Sequence, residues 1–268
     1  MEAKGHDRMF TVLFLEFLGT ALFVWGIICT ATPVSIPFSL FASVVIFGDI
    51  TGGHFNPAVT LGVFIQNSDN YGGNFLFCIL IMLAQFVGGM AAMGLSWMGT
   101  FDIPDDNIAK IAPTNPMTGD PDNGDSADDF QMYFAVLLNE IVCTFLFVSV
   151  ILMVKGEHTA GDRKGVCAAL CVVSTLLCVI SGTNKLGAAF NPAVGTAVTT
   201  YSVLRLEHED GQSNEWLYHY LWCYTVGPYI GGLCAGLFHL IHKGFHEPEE
   251  PYKSQGFSEE QTQRLTAD

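Results

Sequence analysis

Apolar residues run along this chain in blocks too long and too unbroken for a soluble fold. Stretches near the length of about 20 residues that spans a bilayer run from Phe10 to Ala31, Phe75 to Met98, Tyr133 to Val154, Val166 to Ser181 and Trp216 to Ile241. A shorter block, Val34 to Gly48, contains Pro37, which fits the first turn of a helix, where its missing N–H costs little. Two further apolar stretches are too short to cross alone. They open on one pentapeptide that occurs twice, Phe55-Asn56-Pro57-Ala58-Val59 and Phe190-Asn191-Pro192-Ala193-Val194. An Asn side chain can cap the free amides of a helix start, and Pro at the first helical position wastes no donor. The pattern predicts six spanning helices and two half-helices. Half-helices are tolerated at membrane depth only where their ends are buried in protein or line a watery cavity, so the repeated motif points to a pore.

The two halves match at three register marks. Glu16-Phe17-Leu18-Gly19-Thr20 answers Glu140-Ile141-Val142-Cys143-Thr144, the Asn-Pro-Ala motifs follow, and Gly88-Gly89 answers Gly231-Gly232. Such small residues let helices approach closely in lipid. Three spans per half invert the second half relative to the first, so the half-helices enter from opposite faces and can meet near the midplane. The predicted fold is an all-α membrane protein with an inverted 3+3 repeat. Its body is one domain at 10–242, with repeat one at about 10–99, an acidic loop at 100–130 and repeat two at about 131–242.

Composition agrees: 50% of the residues are hydrophobic, 14% are charged, and mean hydropathy is +0.38. A secretory leader is not expected, because Met1 to Met9 runs straight into a full-length apolar block without a small-residue cleavage site. Lys4, Arg8, Lys155, Arg163, Lys164, Lys243, Lys253 and Arg264 fall on one side, and Lys110, Lys185 and Arg205 on the other. That bias makes both termini, 1–9 and the acidic tail 243–268, cytoplasmic. The tail is expected to be disordered. The net charge of −15 is concentrated in the tail and the Asp-rich loop, which excludes a nucleic-acid face. The loop reads as a solvated linker, with a cation-attracting outer mouth as the alternative. The eight Cys residues lie in apolar spans without metal-ligand spacing and read as small core residues. No metal or other cofactor is expected.

With these residues in hand the chain resembles the major intrinsic protein family, the aquaporins and aquaglyceroporins. The resemblance runs from about Phe10 to Ile241 and rests on the Glu-x-x-x-Thr pairs, the segment Thr51 to Gly62, Ala84-Gln85 with Gly88-Gly89, and Val226-Gly227-Pro228 with Gly231. It implies a passive channel for water or small uncharged solutes such as glycerol, urea, ammonia or hydrogen peroxide, assembled as a homotetramer in the plasma membrane or an intracellular membrane. Asn56, Pro57, Ala58, Asn191, Pro192 and Ala193 would form the constriction. Each half-helix start carries roughly half a positive charge, which repels cations there while two amide donors orient passing water.

Glu16 and Glu140 are carboxylates inside apolar spans, which are costly unless partnered. Their expected role is to accept hydrogen bonds from the irregular segments ahead of the half-helices, and no nucleophile or metal cluster accompanies them to suggest an enzyme. His54 is expected to brace the loop at the inner vestibule. Family members usually place an Arg two residues beyond the second motif's Pro, where this chain has Val194. Ungapped spacing carries the rest of that selectivity filter onto Ile36, Val179 and Ala188, with Phe38 as the neighbour a gap would bring in. Such a ring has no charge, and Lys185 nearby reads as solvent-facing. Gly195 stands in place of the Ser, Thr or Asp that often separates water-selective from glycerol-conducting relatives, so this position does not indicate the solute. A non-conducting structural subunit is the alternative function, because an apolar constriction can dewet; an intramembrane enzyme or ion-coupled transporter would need further buried charges.

Overall fold

The computed structural model describes residues 2–30, 32–67, 71–99, 111, 126–155, 165–183, 186–206 and 216–246. Most of the acidic loop, Lys185 and the tail beyond residue 246 lie outside the described residues. Among those residues the chain is helical: α1 (Glu2–Thr30), α2 (Ser35–Thr51), α3 (Pro57–Gln66), α4 (Tyr71–Gly99), α5 (Ser126–Lys155), α6 (Val166–Gly182), α7 (Pro192–Leu206), α8 (Trp216–His219) and α9 (Leu221–His246). Four stretches, Arg8–Thr30, Tyr71–Gly99, Phe130–Val154 and Leu217–Phe245, are long and apolar enough to cross a membrane. α2 and α6 have 17 residues each, about 25 Å at 1.5 Å per residue. The sixth predicted span is broken: α8 stops at His219 and α9 restarts at Leu221, with a turn at Tyr220. α5 starts at Ser126, inside the stretch that the sequence pattern gives to the acidic loop. Ile111, from that same loop, is buried in the apolar core rather than solvated.

The repeat is visible in the packing. α1 lies on α2 and α4, and α5 lies in the same way on α6 and α9. Each half-helix then crosses over: α3 packs chiefly on α9 of the second half, and α7 packs on α4 of the first as well as on α9 of its own. Four glycines make this possible. A Cβ at Gly88 or Gly231 would run into the backbone carbonyl of Phe17 or Ile141, the matching residues of α1 and α5. One at Gly89 or Gly232 would meet the carbonyl of Ala193 or Ala58 at the head of the opposite half's half-helix. The glycine pairs therefore set both the helix spacing within a half and the seat of the other half's motif. Gly195 has a similar explanation, since a Cβ there would lie 2.7 Å from the Tyr224 carbonyl of α9.

The cysteines divide. Cys78 and Cys223 are buried as expected, but Cys167, Cys171, Cys178 and Cys234 are exposed on α6 and α9, and all eight are free thiols. Arg205, in the last turn of α7, is buried beneath Trp97, its guanidinium carbon 5.8 Å from the ring centroid. Trp97 meets Tyr201 edge-on at 6.3 Å, so this aromatic and cation contact fastens the far end of α7 to α4.

Gly232→Ala is expected to lower thermal stability by about 1–3 kcal/mol, because backbone rather than a flexible side chain must give way. Gly94→Ala, in the same bundle with open space around its Cβ, is the control. Unfolding midpoints of the two purified variants in detergent check this; equal midpoints would show that the close seat of α3 on α9 contributes nothing.

Candidate functional site

The approach to α3 begins where α2 ends, at Gly52 with φ 90°, a left-handed cap suited to glycine. The chain then runs through His54 and Phe55 to Asn56, whose extended backbone (φ −157°, ψ 118°) and side chain form the N-cap: Asn56 Oδ1 accepts from the Ala58 amide at 2.8 Å, and Pro57 takes the first helical position. The second motif repeats this, with Asn191 Oδ1 accepting from Ala193 at 3.0 Å and Val194 at 3.4 Å. Asn-Pro thus acts as helix-start chemistry in both copies.

The buried carboxylates hold the segments ahead of the caps. Glu16 accepts from the amides of His54 at 3.0 Å and Phe55 at 2.9 Å. Glu140 accepts from Ala189 at 2.9 Å and Phe190 at 2.8 Å, the matching positions. Both glutamates are fully buried. Glu16 also receives Gln85 Nε2 at 2.8 Å, and Gln85 Nε2 lies 2.9 Å from the Thr60 hydroxyl, which in turn sits 3.2 Å from His54 Nδ1. His54 therefore braces its loop through Thr60.

The two motifs then cross. Asn56 Nδ2 donates to the carbonyl of Phe190 at 2.8 Å, and Asn191 Nδ2 donates to the carbonyl of Phe55 at 2.9 Å. Asn56, Pro57 and Ala58 are so brought face to face with Asn191, Pro192 and Ala193, and the N-termini of α3 and α7 converge on one point. Each carboxamide nitrogen carries two hydrogens and uses one in the crossing, leaving one donor per Asn. Both asparagines border a cavity of about 20 Å3, enough for one water. Apart from Gly53 and His54, its other walls are apolar, supplied by Phe23, Leu40, Val44, Ile151, Val172 and Leu176 among others.

The four filter candidates belong to one apolar cluster: Val179 and Val194 are buried in it, and Ile36 and Ala188 pack against it. None of them borders the cavity at the asparagines. Phe38, the neighbour a sequence gap would substitute for Ile36, is 55% exposed and faces outward. Sequence reasoning missed Gln85 as the partner of Glu16 and Thr60 as the link from Gln85 to His54, although a Gln in an apolar span was a signal. It also missed Tyr224, fully buried, whose hydroxyl donates to the Leu186 carbonyl at 2.8 Å and steadies the chain before α7. The apolar lining residues carried no signal at all.

Two interlocked helical halves whose half-helices meet head to head at buried asparagines define a polytopic membrane protein built around a central passage. The match to the family model described as Major intrinsic protein covers residues 6–239, and the chain belongs to that family. It is 29% identical over 245 residues to Aquaporin Z of Photorhabdus laumondii, covering 85% of this chain and 95% of the relative. It is 28% identical over 266 residues to Aquaporin TIP1-1 of Zea mays, covering 88% of each. A probable aquaporin TIP1-1 of Oryza sativa subsp. japonica is 30% identical over 220 residues, covering 79% of this chain and 70% of the relative. The fold resembles the X-ray structure of the aquaglyceroporin from Plasmodium falciparum, with a TM-score of 0.59 at 18% identity over 87% of this chain and 92% of that one.

Glu140→Gln is expected to destabilise the protein by about 1–3 kcal/mol, because its new N–H faces a backbone amide and leaves that buried donor unsatisfied. Unfolding midpoint and water flux, measured together on vesicle-inserted protein, check the effect. An unchanged midpoint would mean that the carboxylate does not hold the segment before α7.

Proposed function

We propose that the Asn56–Asn191 junction is the cation-excluding constriction of a passive transmembrane channel for water and small uncharged solutes. The observation that carries this is the crossed pair of bonds from Asn56 to Phe190 and from Asn191 to Phe55, which aims two half-helix N-termini at one buried point. Both ends bring partial positive charge to a poorly solvated passage, which opposes any cation or hydronium. Water can turn its oxygen to the two remaining amide hydrogens, which interrupts the file of hydrogen bonds along which a proton would hop. Binding and release need no covalent step, so the protein is a channel and not an enzyme. A purely structural, non-conducting role is the less favoured reading, given relatives along most of the chain that are named aquaporins.

The channel body is assigned to 10–242, between a cytoplasmic N-terminus, 1–9, and a cytoplasmic tail, 243–268; the distribution of Lys and Arg supports that orientation. A homotetramer with one pathway per chain is inferred from the family. Ile36, Val179, Ala188 and Val194 are assigned to the outer selectivity filter, which on this reading is uncharged and admits solutes larger than water.

Proteoliposomes that contain the protein should shrink faster under osmotic shock than empty ones, without added ion leak. Replacing both asparagines by aspartate removes both Nδ2 donors and adds negative charge; cation leak should rise and water flux should fall. If correctly inserted Asn56→Asp/Asn191→Asp protein showed neither change, the two residues would not border the pathway.

Val194→Arg is expected to reduce glycerol and urea permeability several-fold more than water permeability. The guanidinium narrows the ring while still offering water a hydrogen bond. Stopped-flow re-swelling ratios for both forms, taken after membrane insertion is verified, are the measurement. Equal ratios before and after the substitution would remove Val194 from the filter.

A further inference from the structure

The loop from Gly52 to Phe55 has a cavity on each side. The small one at the asparagines draws on α5 and α6 through Phe147, Ile151, Val172 and Leu176. The other, about 610 Å3, is walled by α1, α3, α4 and the last turn of α2, and among the described residues none from α5 or α6 borders it. His54 is the one described residue they share. The larger space is therefore a side chamber beside the passage, within the size range of small-molecule sites, about 300–1,000 Å3.

Its chemistry is divided by depth. Val12, Val63, Phe64, Phe77 and Ile81 form an apolar wall. Arg8, Asn67 and Asn74 stand exposed at the rim. Arg8 stands just before the apolar block that begins at Phe10, and Asn74 lies in the first turn of Tyr71–Gly99, so the rim sits where the apolar spans begin. No carboxylate stands among the described lining residues. The chamber also touches the support of the constriction. Thr60, in its wall, bonds Gln85, and Gln85 bonds Glu16, which holds His54 and Phe55. The second half supports its own motif through Glu140 with Gly195 and Pro228 at the places of Thr60 and Gln85. The polar relay of the first half is thus not needed merely to seat a half-helix.

We propose that this chamber binds one acyl chain bearing an anionic headgroup, its head at Arg8 and its chain along the wall from Val12 to Ile81. A guanidinium with no carboxylate among the described lining residues selects the anion, and the apolar wall selects the chain. Two sources share that chemistry, an anionic bilayer phospholipid and a free fatty acid.

The test is native mass spectrometry of the full-length protein from phosphatidylcholine nanodiscs, in one arm containing phosphatidylglycerol and in the other containing free oleate. One anionic molecule per chain should be retained over phosphatidylcholine. Arg8→Gln should weaken retention about tenfold, the scale of one lost charge-assisted contact. Val63→Trp should abolish retention by filling the chamber, with Val63→Phe as the smaller plug if the Trp variant does not insert. Lys243→Gln, which removes a cation near the end of α9, should leave retention unchanged. Retention in the phosphatidylglycerol arm alone assigns the site to a bilayer lipid, in the oleate arm alone to a fatty acid, and in both to the shared headgroup chemistry. Retention in neither arm, equal retention of phosphatidylcholine, or equal weakening by Arg8→Gln and Lys243→Gln overturns the proposal. Retention is read on the protein itself, so the result stands apart from whether the passage conducts.

Discussion

Phe55 and Phe190 have φ values of 46° and 50°, a left-handed conformation that costs a non-glycine residue about 1–3 kcal/mol. Each is held there from two sides. The carboxylate of its own half takes the amide, and the carboxamide of the opposite half takes the carbonyl. A strained turn inside a bilayer has no water to satisfy it, so these four partners must be present together or the backbone groups stand open. Each of Glu16 and Glu140 accepts from two consecutive backbone amides with its two oxygens, which explains why acidic side chains are kept at a depth where they are otherwise costly. The strain is what turns the chain so that Asn and Pro begin a helix at the centre of the molecule instead of at its surface.

Because the lock is made between halves, the halves cannot be adjusted separately. Gly232 fits against Ala58, directly after the first Asn-Pro, and Gly89 fits against Ala193, directly after the second. A shift of α9 therefore moves α3, whose cap reaches Phe190, and a shift of α4 moves α7, whose cap reaches Phe55. Close glycine contacts fix distance, and the crossed bonds fix register. The symmetry stops at the second layer. The first half adds Gln85, Thr60 and His54 behind Glu16, while the second has Gly195 fitted beneath the Tyr224 carbonyl and the Tyr224 hydroxyl steadying Leu186. The two motifs are alike in what they do and different in how they are supported.

That division also marks what the sequence could disclose. Polar residues in apolar blocks must find partners, so Glu16, Glu140, Asn56 and Asn191 announced themselves, and their matching positions in two inverted halves implied that they converge. Apolar residues announced nothing, since a position facing lipid and one facing the bundle interior are equally apolar in a membrane. Phe23 lines the central cavity and Phe38 faces outward, yet neither differs from the other in composition or spacing. For the same reason the exposed side of Cys167, Cys171 and Cys178 could not be told from a buried one. Ile111 was hidden in a different way, as one apolar residue that reaches the core from an acidic loop. The break at Tyr220 has no Gly or Pro to mark it.

Val194 adds a last consequence. In relatives that carry an Arg at this place, a fixed charge near the outer face opposes cations before they reach the asparagines. Here that position is buried among apolar side chains, and the arginine that α7 does carry, Arg205, is taken up under Trp97. On the proposed pathway, rejection of cations then falls to the two remaining Asn hydrogens and the two half-helix ends, all at one point. Their field is effective only while both ends stay aimed at that point and water is scarce around it, conditions supplied by the crossed bonds and by the apolar wall from Phe23 to Leu176. On the proposed assignment, discrimination by charge and discrimination by size are thus separated along the passage, the first at the rigid junction and the second at the uncharged ring around Val194.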